Sequence, residues 1–71
     1  MKTYFVCTNP EMFGHDTTEE DAWNAACIVA DRVRCEYPEI EVVLSSSYRE
    51  NSEDVADIQQ FVNDNWTDWI A

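Results

Sequence analysis

The chain has 71 residues, 45% of them hydrophobic, and its fifteen acidic and four basic residues give a formal net charge of −11 at pH 7. So many apolar and aromatic side chains exclude a disordered acidic tail and predict one small folded domain over residues 1–71. The charge disfavours direct binding to nucleic acid or anionic membranes, which are also negative, and favours a basic protein partner.

The cysteine and histidine content argues against a metal site. Cys7, Cys27 and Cys35 form no Cys-x-x-Cys pair, and His15 is the single histidine. An odd number of cysteines without such spacing favours reduced thiols in a cytosol, so we expect no metal and no cofactor. The chain also contains no apolar run of about 20 residues that would span a bilayer, and no signal peptide follows Lys2. A cytoplasmic location is therefore expected.

The first predicted element is a strand over residues 3–8, where Tyr4, Phe5 and Val6 have strong strand preference. Asn9-Pro10 ends it as a turn signal. Residues 11–16, which include the single glycine, form either a short third strand or a loop over the core, and the sequence does not separate these alternatives.

A helix capped by Thr17 or Thr18 is predicted next, and Thr17 with Glu20 fits a capping box. Acids at residues 19–21 match the helix dipole, which is a sufficient structural reason for them. Tyr37-Pro38 ends the helix, because a residue before proline is pushed out of the α region. The predicted buried stripe consists of Ala22, Ala26, Val29, Ala30 and Val33, with Ala25 beside it.

Residues 39–46 are predicted to form the second strand, with Ile40, Val42 and Leu44 on one face. The other face is acidic near its start, through Glu39 and Glu41. Triple serine leads out of this strand, and no base accompanies it to make a serine nucleophile.

The second predicted helix covers residues 52–70 and is capped by Ser52. Its apolar stripe consists of Val55, Ile58, Val62, Trp66 and Trp69. Its opposite face carries Glu53, Asp57, Asp64 and Asp68, and no Lys or Arg interrupts the segment. Solvated helix faces normally mix the two signs of charge, so this unmixed face points to an interaction.

The order strand, helix, strand, helix predicts an α+β fold. We expect a small two-layer β-α-β-α domain in which two helices pack on one face of a two- or three-stranded sheet, with a parallel strand pair. The other sheet face would display Phe5, Cys7 and Val43, through which a homodimer could form.

The predicted partner-binding residues are Glu53, Asp57, Asp64, Asp68, Asp31, Glu39 and Glu41. On a helix, Glu53 to Asp57 and Asp64 to Asp68 are each about 6 Å apart along the axis, close to two phosphate steps of about 3.4 Å in a DNA strand. These carboxylates therefore match alternate positions in an Arg- or Lys-lined groove. The chain contains no catalytic motif, and we expect no enzymatic activity.

In size and charge the whole chain resembles the small acidic inhibitors encoded by bacteriophages, namely anti-CRISPR proteins and anti-restriction DNA mimics. It shares with them the short single domain, the charge of −11 and the one-sided acidic helix. It shares no sequence motif with them, so no residue role is carried over. The resemblance implies a stoichiometric inhibitor in the cytoplasm of a bacterial host, bound to a basic nucleic-acid-binding protein or a CRISPR effector complex. The alternative is a small homodimeric interaction or accessory module that uses its apolar sheet face.

Overall fold

The computed structural model describes residues 2–14 and 16–70. Strand β1 (Thr3–Cys7) leads through a 3₁₀ turn (Pro10–Met12) to helix α1 (Glu19–Glu36). Strand β2 (Glu41–Ser45) and a second 3₁₀ turn (Glu53–Val55) precede helix α2 (Ala56–Ile70). The predicted α+β class is confirmed, because the two helices and the two-stranded sheet pack against each other. His15, which the sequence assigned no ligand role, lies outside the described residues.

The sheet consists of β1 and β2 in parallel, with Thr3 opposite Glu41 and Cys7 opposite Ser45. Helix α1 makes the crossover between them, as parallel pairing requires. The alternative of a third strand near Met12 is not realised in the part of the chain that the structure describes. Pro10 has no N–H to give to a strand ladder, and it starts a 3₁₀ turn at which the Asn9 side chain accepts a hydrogen bond from the Glu11 N–H.

The core lies between one face of the sheet and the two helices. Tyr4 and Val6 of β1 and Val42 of β2 contribute the sheet side. All five residues of the predicted α1 stripe and the neighbouring Ala25 are buried, and three of the alanines have no exposed surface, so α1 sits close to its neighbours. From α2 and the turn before it come Val55, Ile58 and Val62, while Trp66 and Trp69 pack partly buried at the margin.

The start of α1 agrees with one of its two predicted caps, and the start of the second helix differs from its prediction. Thr18 caps α1, with its hydroxyl oxygen accepting from the Asp21 N–H at 3.1 Å, so the capping box assigned to Thr17 and Glu20 was placed one residue early. Ser52 precedes the second helical segment, but its side chain accepts no hydrogen bond from the first turn, and its hydroxyl donates to the Asp54 carboxylate. The first turn after it is a 3₁₀ turn, and regular α-helix begins at Ala56.

Three aromatic contacts fix how α2 lies against the rest. Tyr37, directly after α1, packs edge-on against Phe61 of α2, with ring centroids 5.6 Å apart. Phe13, ahead of α1, packs against Trp66 at 6.2 Å. Helix α2 therefore runs back alongside α1 in the opposite direction. Phe61 also contacts Trp69 at 5.3 Å, which closes the far end of the core.

Side chains bond to part of each outer edge of the small sheet. At β1, the Asn51 amide replaces a neighbouring strand: its Oδ1 accepts from the Phe5 N–H at 2.8 Å and its Nδ2 donates to the Phe5 carbonyl at 3.2 Å. At β2, Arg34 donates to the Val42 carbonyl at 3.4 Å. These bonds partly satisfy edge groups that would otherwise pair with another chain.

Candidate protein-interaction surface

The acidic helix face, defined as Glu53, Asp57, Asp64 and Asp68, lies along the solvent side of α2 and the turn before it. All four residues are exposed. They occupy the side of the helix opposite Ile58 and Val62, which are buried in the core. The amphipathic pattern thus positions them: burial of the apolar stripe turns the carboxylates outward.

Very little of the negative charge is neutralised within the fold. Among residues 2–14 and 16–70, the structure contains a single ion pair, in which Arg34 lies 3.3 Å from Asp31. No basic residue follows Arg49 in the chain, so the acidic helix face has no cation on its own helix. Gln60 makes the closest neutral contact, with its amide donating to the Asp64 carboxylate at 2.9 Å.

The helix dipole accounts for only part of this face. Glu53 and Asp57 lie at the start of the helical segment, where negative charge is favoured. Asp68 lies in the last turn of α2, where the dipole disfavours negative charge, and that turn holds no basic residue. Asp64 stands one turn before it. Helix stability therefore gives no reason for Asp68, whereas Asp64, which lies before the last turn, is stabilised by the bond from Gln60.

The carboxylate spacing differs between the two halves of the face. Asp64 and Asp68 lie on regular α-helix, so their axial separation of about 6 Å holds. Glu53 to Asp57 spans the 3₁₀ turn, which rises more steeply, and that separation becomes about 7 Å. Both remain near two phosphate steps of a DNA strand of about 3.4 Å each.

The structure joins two of the predicted binding residues in one pocket. Asp57 and Glu39 both line a pocket of about 390 Å³ between the end of α1 and the start of α2. Glu36, which the sequence analysis did not include, lines it as well, together with Lys2. The sequence feature that could have indicated Glu36 is its position at the end of the first helix, three residues before Glu39. Glu41 follows at the start of β2 and is exposed.

Asp31 is the predicted binding residue whose carboxylate is paired with a basic side chain. Its carboxylate pairs with Arg34, whose guanidinium also bonds the β2 edge. A partner would have to compete with that arginine, so Asp31 presents less free negative charge than the acidic helix face. Both side chains of this pair are at least half exposed, and such surface pairs contribute little to stability.

The described residues offer neither a metal site nor a membrane-spanning helix. Residues 2–14 and 16–70 hold no group of three or more His, Cys, Asp or Glu side chains placed to bind a metal ion. Neither helix in that part of the chain is long and apolar enough to cross a membrane. Comparisons of the chain with models of known protein families, with curated protein sequences and with solved structures found no match.

Proposed function

We propose that this domain is an acidic, non-enzymatic inhibitor, of the anti-CRISPR or anti-restriction type, that occupies a basic nucleic-acid-binding surface of a host defence complex. The observation that carries the proposal is Asp64 and Asp68 at the C-terminal end of α2. Both charges are exposed, no basic residue lies on that helix, and the helix dipole opposes the charge of Asp68 in the last turn. A role in binding supplies the reason that stability does not.

The partner under this proposal is cationic and normally holds a polyanion. The acidic helix face would take the place of a phosphate backbone, with Glu39 and Glu41 extending it at the other end of α2. A net charge of −11 would steer such a partner to the surface, so association should be fast and should slow as salt is added. Binding would be stoichiometric and would take place in the cytoplasm of a bacterial host.

The test uses DNA binding by purified CRISPR effector complexes and restriction nucleases in the presence of the domain. A wild-type domain should displace DNA from its target, and a triple variant Asp57→Asn, Asp64→Asn, Asp68→Asn should lose most of that inhibition. Each lost contact to a partner cation is worth about 1 kcal/mol or more where water is excluded, so inhibition should weaken by at least about tenfold.

A matched variant separates position from total charge. Asp16→Asn, Glu19→Gln, Glu20→Gln removes the same three charges from exposed residues ahead of and at the start of α1. It should inhibit within about threefold of the wild type, because long-range steering alone is a modest effect at physiological salt. An equal loss of inhibition in the two triple variants would contradict the proposal that the acidic helix face contacts the partner.

One observation favours a second function, that of a homodimeric accessory module. Both helices cover the same sheet face, so Phe5, Cys7 and Val43 on the other face are only partly buried. The Arg49 guanidinium lies 5.4 Å from the Phe5 ring centroid and shields part of that face. Light scattering distinguishes the two readings: a dimer that Val43→Lys dissociates supports the module, and a monomer at all concentrations removes it.

A further inference from the structure

A groove of about 570 Å³ runs between the outer edge of β1 and helix α2. Among its lining residues are Phe5, Cys7, Met12, Asn51, Gln60 and Trp66. Four large hydrophobic side chains are exposed in the part of the chain that the structure describes, and two of them, Met12 and Tyr48, line this groove. It therefore combines a strand edge with apolar walls.

The strand edge in this groove is incompletely paired. The Glu41 N–H bonds the Lys2 carbonyl and the Thr8 N–H bonds the Ser45 carbonyl, so even-numbered residues of β1 face β2. Odd-numbered residues face the groove side. Phe5 is satisfied there by Asn51, while the main-chain N–H and carbonyl of Cys7 have no hydrogen-bond partner among residues 2–14 and 16–70.

The charged residues at the groove favour a positively charged ligand. Glu50 and Glu53 line it, whereas Arg49, the one basic residue of its lining among residues 2–14 and 16–70, has its guanidinium over Phe5. On the α2 side, Gln60 lines the groove and bonds Asp64 of the acidic helix face. A cationic occupant therefore meets negative charge both at the groove and along the adjoining helix.

We propose that this groove binds an extended cationic peptide segment of a protein partner, which adds to the edge of β1 as a third strand. Main-chain groups of the segment would pair with Cys7 and, after displacing the Asn51 amide, with Phe5. An apolar side chain would pack between Met12 and Trp66, and flanking lysines or arginines would lie near Glu50 and Glu53. Strand addition of this kind obtains affinity from the main chain and specificity from alternate side chains. The docking site goes beyond the proposed function and does not depend on it.

The probe is an acetylated and amidated heptapeptide of alternating lysine and valine, titrated by calorimetry and by Trp fluorescence. The blocking variant is Ala56→Arg, since Ala56 is exposed, lines the groove and tolerates arginine at a helix start. Its control is Asn24→Arg, an equal charge change at an exposed α1 residue that is not part of the groove. Ala56→Arg should weaken binding by about tenfold or more, and Asn24→Arg by no more than about twofold.

A second pair of peptides tests whether the main chain is read. Proline at the central position removes an N–H and should weaken binding by about tenfold, because one main-chain hydrogen bond is lost and a ladder is interrupted. Equal affinity for the proline peptide, or equal loss in the two arginine variants, would mean attraction to the surface charge alone and would overturn the docking site. Failure of the wild-type domain to bind the alternating peptide would do the same.

The peptide assay also separates this site from the acidic helix face. The variant Asp57→Asn, Asp64→Asn, Asp68→Asn leaves the groove lining intact and should bind the peptide within about threefold of the wild type. Loss of effector inhibition with peptide binding retained would leave both proposals standing. Retained inhibition with peptide binding intact would remove the proposed function and keep the groove.

Discussion

At the scale of single residues, a small polar network joins the N-terminal strand to the second helix. The Tyr4 hydroxyl donates to Gln59 Oε1 at 3.1 Å, and the Asn51 amide donates to the same oxygen at 3.3 Å while it bonds the Phe5 main chain. The sequence predicted the strand but gave no sign of this network. Asn51 reads as an ordinary loop residue, and its partner lies 46 positions away.

Tyr4 should make the domain sensitive to alkaline pH. Its side chain is 3% exposed, and burial raises its pKa from 10.0 to about 12. The folded-state pKa lies above the unfolded one, so this stabilising contribution is complete below pH 10 and is lost as the pH rises to about 12. The loss amounts to about 2 to 3 kcal/mol.

The measurement is urea unfolding from pH 8 to pH 12 for the wild type and Tyr4→Phe. The variant lacks the phenol, so its free energy of unfolding should fall less over this range, by that same amount. Tyr48→Phe, at an exposed residue, is the control and should follow the wild type. Parallel profiles for Tyr4→Phe and the wild type would contradict the assigned burial of the phenol.

At the scale of elements, hydrophobic period was the reliable signal. It predicted five of the six buried residues of α1, with Ala25 placed beside them, and the buried Val55, Ile58 and Val62, because the side chains of a core-facing stripe pack against the neighbouring elements. The first and last residues of the helices were less well predicted. Two adjacent threonines both suit a helix start. Ser52 bonds the Asp54 side chain and makes no side-chain cap hydrogen bond.

The alanine stripe of α1 should not tolerate larger side chains. Ala30 has no exposed surface and belongs to the core cluster. Ala30→Leu should therefore lower the free energy of unfolding by about 1 to 3 kcal/mol, since extra methylenes in a close-packed core force neighbours apart. Asn24→Leu on the exposed side should change it by no more than about 0.5 kcal/mol. A more stable Ala30→Leu protein would show that α1 does not approach the sheet closely.

At the scale of the whole molecule, charge dominates. The sequence established its sum, and the structure adds that one ion pair links opposite charges within residues 2–14 and 16–70. Which carboxylates share a pocket was not predictable, because Glu36, Glu39 and Asp57 meet only through the turn of the chain after α1. The identity of a target depends on that arrangement and on the partner's own surface, and neither is encoded in a charge count.

Unbalanced charge of this size should make stability depend on salt. Repulsion among carboxylates opposes the compact state, and added salt screens it. The urea midpoint should therefore rise as sodium chloride increases from about 10 mM to about 500 mM, where the Debye length falls from about 30 Å to a few Å. Urea is the denaturant of choice because guanidinium is itself a salt.

Asp64→Asn with Asp68→Asn should raise the low-salt midpoint and reduce its dependence on salt, because it removes two negative charges, and the dipole of α2 opposes that of Asp68. A double variant less stable than the wild type at low salt would indicate that these carboxylates make stabilising contacts. The matched measurement is Asp16→Asn with Glu19→Gln, which removes the same charge but includes a residue that the dipole of α1 favours.

The bond between Asn51 and Phe5 joins groups 46 positions apart, which bears on when it can form during folding. Two groups so far apart in sequence meet only after a long loop has closed, and that closure costs conformational entropy. The crossover through α1 must bring β2 to β1 before the amide has a formed strand edge to bind. We therefore expect this contact to form late in folding, so that Asn51→Ala should speed unfolding more than it slows folding. On that expectation, the lifetime of the folded domain depends in part on one asparagine side chain.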